Sequence, residues 1–149
     1  MPRVQNEITI RAGVEAVYAI ARDVERFPEF MPDVKSTRVL ERSEDGRRTV
    51  VEWVGLIPEF KTTVKWVEED RWDDAAHTCE FSLVSGDFKQ YGGRWVFAPV
   101  PEGTCFTSVV DYEYDIPLIG PLIKALIRKK MHENVERFQA ALKERVERG

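Results

Sequence analysis

Between residues 34 and 116 the chain reads as six successive strand segments, near 34–43, 47–55, 59–69, 76–85, 90–98 and 104–115, with no helical period among them. The connections carry turn chemistry at Asp45-Gly46, Pro58, Asp73-Asp74, Gly86-Asp87 and Pro101-Glu102-Gly103. They are too short for crossover helices, so consecutive strands must be antiparallel neighbours. Twelve of the 16 aromatic residues fall between Trp53 and Tyr114. A sheet this aromatic must curl around something.

The flanking segments supply the rest of the architecture. Residues 4–10 alternate, Val4, Ile8 and Ile10 against Gln5, Glu7 and Thr9, and predict a first strand. Val14, Val17, Tyr18 and Ala21 then form a helical stripe, and Asp23 can cap a second short turn through Phe27 before Pro28 interrupts it. After Pro117 and Pro121 the helical period returns at Leu122, Ile123, Leu126, Ile127, Met131, Val135, Phe138, Ala141, Leu142 and Val146. This long helix is the one element able to cover the sheet. The expected fold is α+β, one domain over residues 1–149, with a seven-stranded curved antiparallel sheet held around a C-terminal helix.

Turn positions set which residues face each other. A hairpin centred between Pro101 and Glu102 pairs Phe97 with Phe106, Trp95 with Ser108, Gly93 with Val110 and Tyr91 with Tyr112, all on one inner face. Arg94 then lies outside. A hairpin centred between Asp45 and Gly46 pairs Leu40 with Val51 and Arg38 with Trp53, which would set Arg38 among apolar groups. Phe60, Thr62, Val64 and Trp66, then Cys79, Phe81 and Leu83, extend the same inner surface. The acidic run at Glu68, Glu69 and Asp70, with Asp73 and Asp74, reads as a solvated turn.

Composition narrows the function classes. With 22 Lys+Arg against 26 Asp+Glu the net charge is −4, so the basic surface that nonspecific nucleic-acid binding requires is missing. No apolar run approaches the roughly 20 residues that span a bilayer, and the chain reads as a cytoplasmic protein. His77 and His132 have no metal-ligand spacing, and no metal or cofactor is expected. Cys79 and Cys105 fall on strands separated by a third, about 9.6 Å apart across two strand spacings. A disulfide needs Cα atoms within about 7 Å, so both should be free thiols.

Two motifs carry a resemblance. Asp23-Val24-Glu25-Arg26-Phe27-Pro28-Glu29-Phe30-Met31-Pro32 resembles the D-V-E-x-[YF]-P-x-F-x-P signature of coenzyme-Q-binding START-domain proteins. Gly86-Asp87-Phe88-Lys89-Gln90-Tyr91-Gly92-Gly93-Arg94-Trp95-Val96-Phe97 is similar to their G-P-F-x-x-L-x-G-x-W-x-F segment, with Asp87 in place of proline and Tyr91 in place of leucine. These proteins share the START-like superfamily of the helix-grip fold with polyketide cyclases and lipid carriers. The resemblance implies an apolar cavity between the long helix and the concave sheet. Its expected ligand-binding residues are Arg38, Trp53, Phe60, Thr62, Val64, Phe81, Tyr91, Trp95, Phe97, Phe106 and Tyr112 from the strands, with Ile123, Ile127 and Met131 from the helix. No catalytic residue is expected, and Val34 stands where related aromatase/cyclases carry a tyrosine.

The leading expectation is a noncatalytic carrier of one hydrophobic small molecule, a lipid, quinone or polyketide. The alternatives are a polyketide aromatase/cyclase and an interaction protein of the ribosome-associated toxin type. One further segment carries an interaction signal: the apolar stretch beginning at Ile116 and the cations Arg128, Lys129 and Lys130 that end it. It is expected to gate the cavity and to touch a membrane surface transiently. Oligomeric state is left open.

Overall fold

The computed structural model describes residues 3–57, 62–114 and 121–148. Seven strands and two α-helices follow in order: β1 (Arg3–Ile10), α1 (Val14–Arg22), a short 3-10 helix (Val24–Glu29), β2 (Val34–Arg42), β3 (Arg48–Ile57), β4 (Thr62–Asp73), β5 (Thr78–Gly86), β6 (Phe88–Val100), β7 (Gly103–Tyr114) and α2 (Pro121–Glu147). The strands form one antiparallel sheet in the order β1-β7-β6-β5-β4-β3-β2. β2 to β7 are a meander of hairpins, and β1 returns to pair with β7.

The β6–β7 hairpin has the register expected of its turn, with Phe97 opposite Phe106, Trp95 opposite Ser108, Gly93 opposite Val110 and Tyr91 opposite Tyr112. Gly93 is required by space. A Cβ there would stand 1.9 Å from the Val109 carbonyl oxygen and 3.0 Å from Cζ of Phe81, so only glycine lets the strands and that ring close together. Arg94 is exposed, as its parity predicts.

The β2–β3 hairpin departs from expectation beyond its first pairs. Arg42 opposite Thr49 and Glu41 opposite Val50 obey the predicted centre, but a bulge at Leu40 shifts the register, so Val39 faces Val51 and Arg38 faces Glu52. A one-residue slip exchanges the two faces of a strand. Arg38 therefore lies outside, its side chain 70% exposed and 3.5 Å from Glu52. This corrects the inward arginine; Thr37 stands opposite Trp53 instead, and Leu40 is 43% exposed.

β4 also differs, running four residues beyond the expected end. Alternation carries Val64 and Trp66 on through Glu68, Asp70 and Trp72, and these last three are 3%, 2% and 4% exposed. The acidic run is thus no solvated turn: Glu69 points out to Arg48 (2.8 Å) and Arg71 (2.7 Å), while Glu68 and Asp70 are in the core.

α2 crosses the concave face. Gln139, fully buried, donates to the carbonyls of Asn6 (3.2 Å) and Phe106 (3.3 Å) and accepts from the Asn6 amide at 2.7 Å, which fixes the helix over the β1–β7 seam. α1 closes the end of the sheet nearest the β4–β5 turn. There the Tyr18 hydroxyl donates to Asp74 at 2.7 Å and Arg22 donates to the same carboxylate at 2.9 Å. Those bonds hold the Asp74 carboxyl down at about 2.

Candidate functional site

The inner surface divides into a filled half and an open half. In the filled half Phe97 and Phe106 stack with centroids 4.5 Å apart, and Tyr18 meets Phe97 edge-on at 6.0 Å. Both phenylalanines, expected among the ligand-binding residues, are at most 1% exposed and neither borders the cavity. Their proximity to α1 explains it, because that helix plugs this end with Val17 and Tyr18.

The open half holds a cavity of about 130 Å³ between sheet and α2. That is on the scale of the roughly 150 Å³ engineered cavity that takes up benzene, and about ten times what one water needs. Its walls are Trp53 on β3, Val64 and Trp66 on β4, Phe81 on β5, Phe88, Tyr91 and Trp95 on β6, and Val110 and Tyr114 on β7. Trp53 and Trp66 stack at 5.6 Å, while Trp95 packs against Phe138 of α2 at 5.3 Å. The helix contributes Met131, Asn134, Val135 and Phe138, spaced i, i+3, i+4 and i+7 and hence on one face.

Among the residues expected at the site, Trp53, Val64, Phe81, Tyr91, Trp95 and Met131 border this cavity. Tyr112 and Ile127 do not. Tyr112 is 2% exposed, packs edge-on to Tyr114 at 5.9 Å, and its hydroxyl has no partner among the described residues. Ile127 is half-buried near the start of α2. Phe60 and the side chains of Thr62 and Ile123 lie outside the described residues, as do residues 115–120 of the expected gate.

Sequence reasoning missed the polar groups. On the solvent side, Arg137 of α2, 41% exposed, donates to Asp33 at 2.5 Å and to Asn134 at 2.7 Å, tying the helix to the segment before β2. Deeper in, Glu68 borders the cavity and accepts from the Trp66 indole N–H at 2.8 Å. Its carboxyl is within hydrogen-bonding reach of Asp70, whose Oδ1 has no partner among the described residues. Burial pushes Glu68 above the usual carboxylate range. Asp70 is pushed well above it, first by burial and then by the Glu68 charge beside it. Two buried carboxyls this close hold each other back from ionising together. Tyr91, whose hydroxyl burial pushes up with help from both carboxyls, completes this end of the cavity. The strand parity of Val64 and Trp66, carried two steps further, would have located both acids.

Two other features bear on chemistry. The thiols are free: Cys79 is 1% exposed and pushed up by burial, and Cys105 is half-buried on β7. Among the described residues no three His, Cys, Asp or Glu side chains gather as metal ligands, and no helix is long and apolar enough to cross a membrane.

Comparison with known proteins places this architecture. Residues 10–139 match the family model described as polyketide cyclase/dehydrase and lipid transport. Among solved structures, TTHA0849 from Thermus thermophilus is 39% identical, with a TM-score of 0.90 over 97% of both chains. A START superfamily protein from Mycobacterium smegmatis is 25% identical, with a TM-score of 0.83 over 98% of this chain and 97% of that one. Among curated proteins, the ribosome association toxin RatA of Escherichia coli K12 is 25% identical over 97% of this chain and 89% of its own length. With a helix-gripping sheet, an aromatic cavity and a family match across most of its length, the chain belongs to the polyketide cyclase/dehydrase and lipid transport family.

Proposed function

We propose that the protein binds one ring-bearing apolar molecule in the cavity between its sheet and α2 and carries it unchanged. The observation supporting this is the cavity wall: Trp53, Trp66 and Trp95, braced by the Trp53–Trp66 stack and by Phe138 behind Trp95, leave an aromatic-lined space of about 130 Å³ between sheet and helix. Close-packed interiors leave few voids of this size, so an aromatic-walled cavity is most simply read as a place for a guest. Burial of a ring against these faces would supply the affinity.

Exchange of such a guest needs a docking surface. Leu122 and Leu126 on the first turns of α2 are 82% and 36% exposed, and Arg128 and Lys129 beside them are exposed cations. The pattern suits brief contact with an anionic lipid surface, where each Lys or Arg contributes about 1 kcal/mol. Native mass spectrometry of the purified protein, before and after solvent extraction, tests the carrier reading. A co-purifying hydrophobic molecule that leaves on extraction and rebinds at one per chain is the expected result. A chain that neither carries nor takes up any apolar probe refutes it.

A further inference from the structure

Glu68 at the cavity wall and Asp70 buried beside it form a carboxyl pair with no evident role in packing. Two acids are costly to bury unless something neutralises them, and apolar residues of similar size would fill the space at less cost. The titratable and charged groups facing them come from several elements: Tyr91 on β6, Cys79 on β5, and Glu69 on β4 itself. Arg22 of α1 is engaged by Asp74, and Arg137, the cation of α2 at the cavity, by Asp33. Among the described residues no cation answers the pair directly.

A second, independent observation lies on the neighbouring strand, β3. Trp53 is 5% exposed and borders the cavity, yet its indole N–H has no partner among the described residues. The wall thus has a donor lacking an acceptor, an acid pair lacking a cation, and aromatic faces that attract positive charge.

We propose that the Glu68–Asp70 side of the cavity is a subsite for a protonated amine, so that the natural ligand is an apolar, oxygen-bearing amine. This deepens the carrier reading and rests on it. The ammonium enters charged, a proton held by the pair leaves for solvent, and both carboxyls then stand ionised against the cation. The ligand's oxygen accepts from Trp53. A carboxylate head group, by contrast, would face the acid pair and is rejected. The subsite therefore excludes fatty acids even though the cavity is apolar.

Isothermal titration of the full chain with four matched probes tests this: 2-(4-methoxyphenyl)ethylamine, 2-(4-methoxyphenyl)ethanol, 3-(4-methoxyphenyl)propanoate and headless 4-ethylanisole. The amine should bind about tenfold tighter than the alcohol at pH 8, an ion pair in such a wall being worth on the order of one pKa unit or more. The propanoate should bind most weakly. Titrations in buffers of different ionisation enthalpy should show proton release with the amine alone, and amine affinity should rise from pH 6 to pH 8 by up to about tenfold per unit. Glu68→Gln should erase the amine preference, bringing amine and alcohol to equal affinity. If that variant does not fold, the proton count on the wild-type protein decides by itself. Equal binding of amine and alcohol, or amine binding without proton release, overturns the subsite and leaves the carrier reading intact. Failure of all four probes, 4-ethylanisole included, overturns both.

Discussion

Trp53 of β3 and Trp66 of β4 lie face to face, ring centroids 5.6 Å apart and planes 6° from parallel, yet their N–H groups have opposite fates. That of Trp66 donates to Glu68, and that of Trp53 has no partner among the described residues. One indole orients the acid pair; the other keeps an unmet donor in the cavity wall. Both stay put because opposed aromatic residues across an antiparallel pair brace each other.

Trp95→Ala should damage stability and uptake together. The ring is 8% exposed and touches Phe27, Trp72, Phe81, Phe106 and Phe138, so it is both core and cavity wall. Removal should cost about 3–5 kcal/mol in denaturant unfolding and weaken binding of an apolar fluorescent probe. A variant matching wild type in both measurements would refute the placement.

Asp70→Asn should flatten part of the pH dependence of stability. Because the folded carboxyl titrates well above its unfolded value, the native state holds more protons. Its contribution is greatest at low pH and is lost as pH rises above the unfolded value toward the folded one. Relative to wild type, the asparagine variant should gain stability steadily from pH 5 to pH 8 in chemical denaturation. A difference that stays constant with pH would show that Asp70 titrates normally.

Gly93→Ala should be far more harmful than an ordinary strand substitution, since its Cβ would meet the Val109 carbonyl carbon at 2.9 Å as well as the oxygen at 1.9 Å. Both contacts are backbone and cannot rotate away. A loss of about 1–3 kcal/mol is expected, with Gly92→Ala, whose nearest contact is 3.1 Å, the milder control.

Thiol titration should find one slow and one fast cysteine in the native protein. Cys105 on β7 is half-buried and should react first, while Cys79 is buried and held protonated. Denaturant should reveal two thiols, and the melting temperature should not respond to reductant. A single titratable thiol would contradict this.

The double variant Leu122→Ser and Leu126→Ser should melt within about 0.5 kcal/mol of wild type, as exposed substitutions do. It should also lose sedimentation with anionic vesicles. Binding unchanged by the variant, or retained on neutral vesicles, would remove the lipid contact from the functional reading.

How far the residues disclosed all this depended on whether a single rule governed each segment. The β6–β7 hairpin was legible throughout because one tight turn sets every pair from Val100–Gly103 to Gln90–Glu113. The β2–β3 hairpin shared that advantage only near its turn, since the bulge at Leu40 lies beyond the reach of the turn residues. Glu68 and Asp70 were hidden for another reason: charge argues for solvent, and here the pleat of β4 overrode it. Phe97 and Phe106 were rightly placed inside, but whether an inner residue borders space depends on α1, which alternation within a strand does not reveal.

The pairing of β1 with β7 also imposes an order on synthesis. Arg3 and Asp111, joined at 2.7 Å, are 108 residues apart in the chain, so at 5–20 residues per second the first strand waits roughly 5–20 s for its partner to leave the ribosome. Each hairpin from β2 onward can close as it emerges. α2 must wait as well, for Gln139 binds Asn6 and Phe106 together, a seam that exists only once β1 has joined. β1, translated before the rest of its sheet, is thus among the last strands secured, and a nascent chain halted before β7 displays Val4, Ile8 and Ile10 as an apolar ribbon open to chaperones.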